Sequence, residues 1–305
     1  MRGAIVIPII GVAIAAPWLA ALLVPGQQRY VVHVLIFTAL FAALALSYDL
    51  VVGHVGSLSL AHPAFFGAGA YTAAILATRA GWPFLADVGA AVLVAGAVAA
   101  VAGVPLFRLT EHAFAVGTLG FTLVAWIVAT NWVEVTRGPL CITGIPKPVS
   151  SLPAWYGVAL AALGVVILLY IGMTIFRLGR ALHAVRANEP LASSAAINPL
   201  RYRMLAFTVG GALAGGVGAL YAHYLSVFCP EEMTIALAIN LLVIVFLGGV
   251  GSLRGVLVGA VLFTALPEVL RIAPTWRLVI YGALLLVIVI RSPEGLEGLL
   301  RARRR

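Results

Sequence analysis

Apolar and polar positions along this chain do not alternate with the short period of a soluble fold. They form long apolar runs separated by brief polar turns, with one extended polar interruption past the middle. About 20 apolar residues in an α-helix cross the ~30 Å hydrocarbon core of a bilayer. Ten runs approach that length: 4–25, 31–52, 62–78, 83–107, 112–130, 153–176, 204–226, 235–249, 255–270 and 275–290. Several of the later runs are short, which points to tilted, broken or re-entrant segments. The pattern predicts an all-α fold, a polytopic membrane helical bundle of about ten transmembrane segments forming a single domain over residues 1–305. The first run follows Arg2 and looks like a signal peptide, but it exceeds an h-region of ~7–15 residues and lacks a convincing cleavage site. It is read as a retained first span.

The polar interruption is 177–203, RLGRALHAVRANEPLASSAAINPLRYR. Arg177, Arg180, Arg186, Arg201 and Arg203 stand there against one acid, Glu189. Such a loop stays in the cytoplasm and orients the spans around it. The basic tail 291–305, with Arg301, Arg303, Arg304 and Arg305, belongs on the same side, anchored at anionic membrane lipid. An even number of spans must separate loop and tail, and four fit. Six precede the loop, so both termini are expected in the cytoplasm. Segment 131–152 is then the longest outer loop, and 227–234, with Glu231 and Glu232, is also outside. Arg271 and Arg277 fall in an outer turn, against the rule. Within the central loop Asn188 is suited to cap a helix and Pro190 to occupy its first turn, where a missing N–H is unneeded. Mostly small residues follow to Ile197. The expected product is a compact helix that enters a groove on another protein, where a partner drives this one.

Composition agrees with a membrane protein: 63% hydrophobic and 10% charged residues are more than a soluble domain can hide. The net charge of +9 sits at the ends of apolar runs and is not interleaved with stacking aromatics, so no nucleic-acid partner is expected. Small residues such as Gly210, Gly211, Gly215, Gly216 and Gly218 let helices approach closely in lipid.

Three stretches are candidates for the translocation pathway. The first places Gly56, Ser57 and Ser59 at an inner membrane end, then Pro63, Gly67 and Gly69 inside a span. It predicts a helix broken or kinked at depth, which is either a wall of the pathway or a tight packing seam. Asn240, an amide near the centre of a span, either lines the path or bonds to a neighbouring helix. Gly248, Gly249 and Gly251 form an inner break that is either a hinge or a tight turn. Val-Gly-Ser-Leu occurs at 55–58 and again at 250–253, a short echo compatible with a repeat or with chance.

Absences narrow the chemistry. Asp49, Asp87 and Glu268 lie toward span ends, whereas ion-coupled carriers place carboxylates deep in the bundle. No His-Glu-x-x-His or Gly-x-Ser-x-Gly is present, and His62, His112, His183 and His223 are read as hydrogen-bonded structural residues. No catalytic residue and no metal ligand set is assigned. No phosphate-binding Gly-x-x-x-x-Gly-Lys-[Ser/Thr] occurs either, so no cofactor is assigned to this chain, and ATP with Mg would be used by a separate chain. Cys141 and Cys229 both fall in outer segments, where a disulfide is permitted.

Residues 47–76 (SYDLVVGHVGSLSLAHPAFFGAGAYTAAIL), 179–207 (GRALHAVRANEPLASSAAINPLRYRMLAF) and 246–271 (FLGGVGSLRGVLVGAVLFTALPEVLR) resemble, in order, signatures of the LivM-type permease of branched-chain amino-acid ABC importers. TRGPLCITGIP (136–146) resembles that family's outer loop. The resemblance implies a transmembrane permease subunit with 177–203 as its cytoplasmic coupling loop. It also implies a second homologous permease, two ATP-binding subunits and a periplasmic substrate-binding protein. By this likeness segment 188–197, with Asn188 and Pro190 at its start, docks on an ATPase subunit, Arg186 and Glu189 flank the docking helix, and Ala195 and Ala196 pack in the groove. Four positions depart from the family pattern. Ala187 stands where an acid is usual, Ala196 where a glycine is usual, and Leu140-Cys141 where Asn-Gly is frequent. The implied cargo is a branched-chain or other hydrophobic amino acid, with urea or short amides as the alternative and a self-contained ion-coupled amino-acid carrier as the runner-up of another class.

Overall fold

The computed structural model describes residues 28–269, 282 and 295–302. The first predicted run, the last apart from residue 282, the Arg271–Arg277 turn, the Glu268 side chain and the Arg303–Arg305 end of the tail lie outside the described residues. The chain begins with α1 (Gln28–Asp49), which widens into a π-helical turn (Leu50–Val55). Four helices follow: α2 (His62–Arg79), α3 (Phe84–Leu106), α4 (Glu111–Asn131) and the short α5 (Val133–Thr136). After strand β1 (Ile142–Thr143) come α6 (Leu152–Ile175), α7 (Arg177–Ala187), α8 (Glu189–Ser194) and α9 (Pro199–Leu225). Strand β2 (Val227–Phe228) leads to α10 (Ile235–Gly248), α11 (Leu253–Val269) and α12 (Gly295–Ala302).

Among the described residues, each of the eight intervening apolar runs is helical. Five helices are long and apolar enough to cross a membrane: Gln28–Val55, Phe84–Leu106, Glu111–Asn131, Leu152–Ile175 and Pro199–Leu225. Helices α10 and α11 are shorter apolar helices. Helix α2 has only 18 residues, because it starts partway along the bundle, with its first residue, His62, beside Gly210 of α9. The expected central loop is itself largely helical. It contains α7, α8 and the first turn of α9, which starts at Pro199 instead of 204 because Asn198 Oδ1 accepts the Arg201 N–H at 3.3 Å.

Helix α9 is the axis of the bundle, buried along most of its length from Ala206 to Tyr224. Its glycines allow α2 and α3 to touch its backbone. A Cβ on Gly218 would collide with the Phe66 carbonyl, one on Gly69 with the Gly215 backbone, and one on Gly215 with Ala95. A larger residue at these points would separate the helices. On the outer faces of α3, α4 and α6 large apolar residues such as Leu85, Leu93, Val101, Val116 and Leu168 are exposed, as a lipid-facing surface requires.

Segments predicted on one side of the membrane meet at one end of the bundle. At the expected outer end β1 pairs antiparallel with β2, Ile142 opposite Phe228. Cys141 and Cys229 form a disulfide. Gly144 and Ile145 donate their N–H groups to the Ser226 carbonyl, and Arg79 donates to the carbonyls of Glu134 and Val135. The expected inner turns surround one cavity at the other end.

Candidate functional site

The break predicted in segment 53–77 exists, but it precedes Pro63. The π-helical turn ends at Gly56, whose φ of 81° suits a glycine, and residues 56–61 run without helix until α2 begins. Pro63 sits in the first turn of α2, where the N–H it lacks has no intrahelical partner, so it starts the helix rather than kinking it. The backbone freed by the break is satisfied by protein. Leu60 donates its N–H to Thr118 Oγ1 at 3.0 Å and accepts from Thr122 Oγ1 at 2.6 Å, both on α4 and both buried. Ser59 Oγ accepts the Ala61 N–H. An irregular backbone inside an apolar bundle is tolerated on these terms.

Three distant stretches converge beside the break. Asp49, the last residue of α1, is fully buried. Its Oδ2 accepts from the Tyr170 hydroxyl of α6 at 2.6 Å, and its Oδ1 accepts from the Gly251 N–H between α10 and α11 at 2.8 Å. A buried carboxylate is tolerated when its lone pairs are met and a cation is near, and the Arg186 guanidinium adds a favourable field. Gly53 makes room for this arrangement, since a Cβ there would stand 2.6 Å from both Asp49 Cγ and Gly251 N. Arg186, at the end of α7, donates to the Gly53 carbonyl. Its side chain lies across Gly56, whose Cβ would meet Arg186 Cγ at 3.0 Å, and reaches Gly251, whose Cβ would lie 3.4 Å from Nη1. The two Val-Gly-Ser-Leu turns therefore flank one arginine, each with a left-handed glycine (Gly251 φ 75°). The His54 ring meets Tyr170 edge-on and packs against His183 of α7.

Beside this joint stands α8. Asn188 Oδ1 accepts the Leu191 N–H at 3.0 Å, and Pro190 is in the first turn, as the sequence predicts. Glu189 forms a two-point ion pair with Arg203 of α9, at 2.8 and 3.2 Å. The helix is shorter than the expected segment, since it stops at Ser194. Ala195 caps it, and Ala196 takes φ 60°. Ala192 is buried, whereas Leu191, Ser193, Ser194, Ala195 and Ala196 are exposed, with Leu191 at 67%.

A cavity of about 1010 Å³ lies among these elements, lined in part by Gly56, Ser57, Arg186, Glu189, Arg203 and Gly251. The remaining pathway candidates are distributed differently. Gly249 (φ 120°) also lines the cavity. Gly248 packs on the Gly255 backbone, so this inner break is a close helix–helix turn. Gly67 lies under Met233 Sδ, and Gly69 belongs to the packing seam with α9. Asn240 is half-buried on α10. At the outer end Cys141, Cys229 and Glu231 bring possible ligand atoms within 4.8 Å of one another, but the sulfurs are bonded to each other and offer no thiolate. Sequence reasoning placed Asp49 at a span end, where the structure buries it inside the bundle, and missed Gly53, Tyr170, Thr118 and Thr122. The available signal was a carboxylate inside an apolar run, which is costly unless partnered.

The family described as "Branched-chain amino acid transport system / permease component" matches residues 30–289. The chain is 31% identical over 319 residues to the high-affinity branched-chain amino acid transport system permease protein LivM of Salmonella typhimurium, covering 95% of this chain and 73% of that protein. It is 25% identical over 286 residues to the LivH permease protein of Escherichia coli, covering 85% and 91%. It is 32% identical over 213 residues to the autoinducer 2 import system permease protein LsrC of an Enterobacter species, covering 65% and 59%. No solved structure matches the chain.

Proposed function

The chain belongs to the family of permease components of branched-chain amino-acid transport systems, and we propose that it forms half of the translocation pathway of an ATP-driven importer. It would reside in the bacterial inner membrane with both termini in the cytoplasm. The cargo on this reading is a branched-chain or other hydrophobic amino acid. Likeness to LivM over 95% of the chain supports that cargo more than the shorter match to an autoinducer 2 permease. Urea or a short amide is the alternative, raised by Leu140-Cys141 in the outer loop. Likeness to both LivM and LivH, two permeases named for one transport system, supports a second, homologous permease as partner.

The observation that carries the proposal is the junction at Arg186. Helix α8 offers an exposed, small-residue surface and is tied to the bundle at two points. Glu189 holds α9 through Arg203, and Arg186, at the adjoining end of α7, donates to the Gly53 carbonyl at the broken end of α1 and lies beside Gly251 in the α10–α11 turn. A push on α8 by an ATP-binding subunit thus reaches the elements around the inner cavity. In this reading Asn188 and Pro190 build the docking helix, Ala195 and Ala196 meet the partner's groove, and Gly56, Ser57, Gly249 and Gly251 line the inner mouth. Two ATP-binding subunits, which bind ATP and Mg, and a periplasmic binding protein complete the assembly. Co-purification of a tagged copy from its native membrane tests this. An ATP-binding subunit and a second permease should accompany it and be lost when 188–197 is altered. A lone protein that moves substrate in liposomes without ATP would replace the importer by a carrier.

A further inference from the structure

Deeper in the bundle than the inner cavity lie two buried side chains whose polar atoms the fold leaves unmet. Tyr48, in the last turn of α1, and His62, the first residue of α2, are both fully buried. Their rings meet edge-on, with centroids 5.0 Å apart. Neither the Tyr48 hydroxyl nor either ring nitrogen of His62 has a hydrogen-bond partner among the described residues. The Ser47 backbone approaches the imidazole without a bonding geometry. The sequence suggests a hydrogen-bonded structural histidine at 62. That expectation is met instead by His223, whose nitrogens face the Pro146 carbonyl and Asp87.

A buried polar atom without a partner is costly and uncommon, so each one needs a reason. Here three such atoms come together, and their surroundings have a definite chemistry. His62 packs on Phe65 of α2, Phe65 stands edge-on to Phe207 of α9, and Phe207 is edge-on to Phe107 and Phe114. Phe107 and Phe114 are walls of the inner cavity, as are Val52 and Val55 of the π-helical turn that follows Tyr48. Tyr48 precedes Val55 by about 10 Å of helix. An aromatic partition thus separates the cavity from the polar pair. On the α9 side Gly210 carries no side chain into this place, where a Cβ would stand 3.6 Å from His62 Nε2.

We propose that Tyr48 and His62, with Phe65 and Phe207, form a subsite that the cargo occupies on its way to the inner cavity, and that its ligand is an amino acid with an apolar side chain. The Tyr48 hydroxyl donates to the carboxylate. The imidazole, with one N–H and one lone pair, serves the carboxylate and the ammonium group. The apolar side chain lies on the rings of Phe65 and Phe207. The helices must part to admit the ligand, so the subsite fills only in the conformation that opens the partition. The inference rests on the reading of the chain as an importer subunit for hydrophobic amino acids.

Uptake of tritiated leucine by the purified assembly in lipid vesicles, followed beside ATP hydrolysis and thermal midpoint, tests the subsite. Tyr48→Phe removes one hydroxyl and keeps the ring. Nothing in the protein holds that hydroxyl, so the midpoint should stay or rise. Leucine taken up per ATP should fall about tenfold or more, the worth of one hydrogen bond to a charged group. His62→Phe should lower it as well, and Tyr48→Phe decides alone if that variant does not insert. Tyr71→Phe is the control, since its buried hydroxyl is also unmet but its ring packs on Phe228 beside the outer disulfide. It should leave uptake unchanged. Normal uptake per ATP in Tyr48→Phe, a lowered midpoint in that variant, or an equal loss in Tyr71→Phe overturns the subsite. No leucine uptake by the wild-type assembly removes the ligand named for it. These residues lie away from α8, so an ATP-binding subunit should co-purify with every variant. Its absence from the wild type would count against the importer reading, whereas normal uptake by Tyr48→Phe with the subunit present counts against the subsite alone.

Discussion

Replacing Gly53 by alanine adds one methyl group at the junction and should disconnect α8 from the inner mouth. The added Cβ would stand 2.6 Å from Asp49 Cγ and 2.6 Å from Gly251 N, so the carboxylate and the Gly251 amide cannot both keep their places. The loss of a hydrogen bond to a charged acceptor is worth about 1.5–3 kcal/mol. Overpacking a close backbone contact adds about 1–3 kcal/mol. A shift of about 3 kcal/mol changes the population of the intact joint by roughly a hundredfold. The helices that cross the bundle do not depend on this contact, so insertion and partner association should persist. The assay is substrate uptake in whole cells, with membrane abundance measured alongside and ATP hydrolysis followed in the purified assembly. Uptake should fall by at least tenfold while hydrolysis continues. Gly164→Ala is the control, since a Cβ there meets nothing within 4 Å and Gly164 lies inside α6. It should leave uptake unchanged. Normal uptake by Gly53→Ala at normal abundance would refute the Asp49–Gly251 contact as part of the transmission.

Three further substitutions probe the same account. Glu189→Lys replaces the ion pair with Arg203 by a like-charge contact and should abolish uptake without loss of inserted protein, read by quantitative blotting beside transport. Ala196→Gly relieves a left-handed backbone in a residue with a Cβ, worth about 1 kcal/mol, and should raise the thermal midpoint of the detergent-purified protein slightly with uptake intact. Thr118→Val with Thr122→Val strips Leu60 of both partners in a buried break, at about 1–3 kcal/mol for each group left unmet, and should lower that midpoint by several degrees.

What the sequence disclosed follows from the distance over which each feature is determined. Asn188 and Pro190 were legible because a cap is read within one turn, and Asn198 with Pro199 carried the same signal at the start of α9. The apolar runs were legible because bilayer thickness sets their length. Asp49 was not, since its partners Tyr170 and Gly251 lie 121 and 202 residues away and only the fold makes them neighbours. Its position near the end of a run suggests a peripheral acid, whereas the helix continues as a π-helical turn to Val55 and α6 and the α10–α11 turn pack against the carboxylate. Pro63 suggested a kink in a span because the pattern alone does not show that the helix begins one residue earlier. The Val-Gly-Ser-Leu echo was too short to argue from, and it acquired a physical basis when both turns were found on Arg186.

The central claim is that α8 is the surface on which an ATP-binding subunit acts. A photo-crosslinking amino acid in place of exposed Leu191, illuminated in native membranes, addresses it most directly. The account predicts an adduct with the mass of this chain plus an ATP-binding subunit, weakened when Asn188 is replaced by alanine and α8 loses its cap. Adducts to lipid alone, or to no protein at a position that remains accessible, would contradict it.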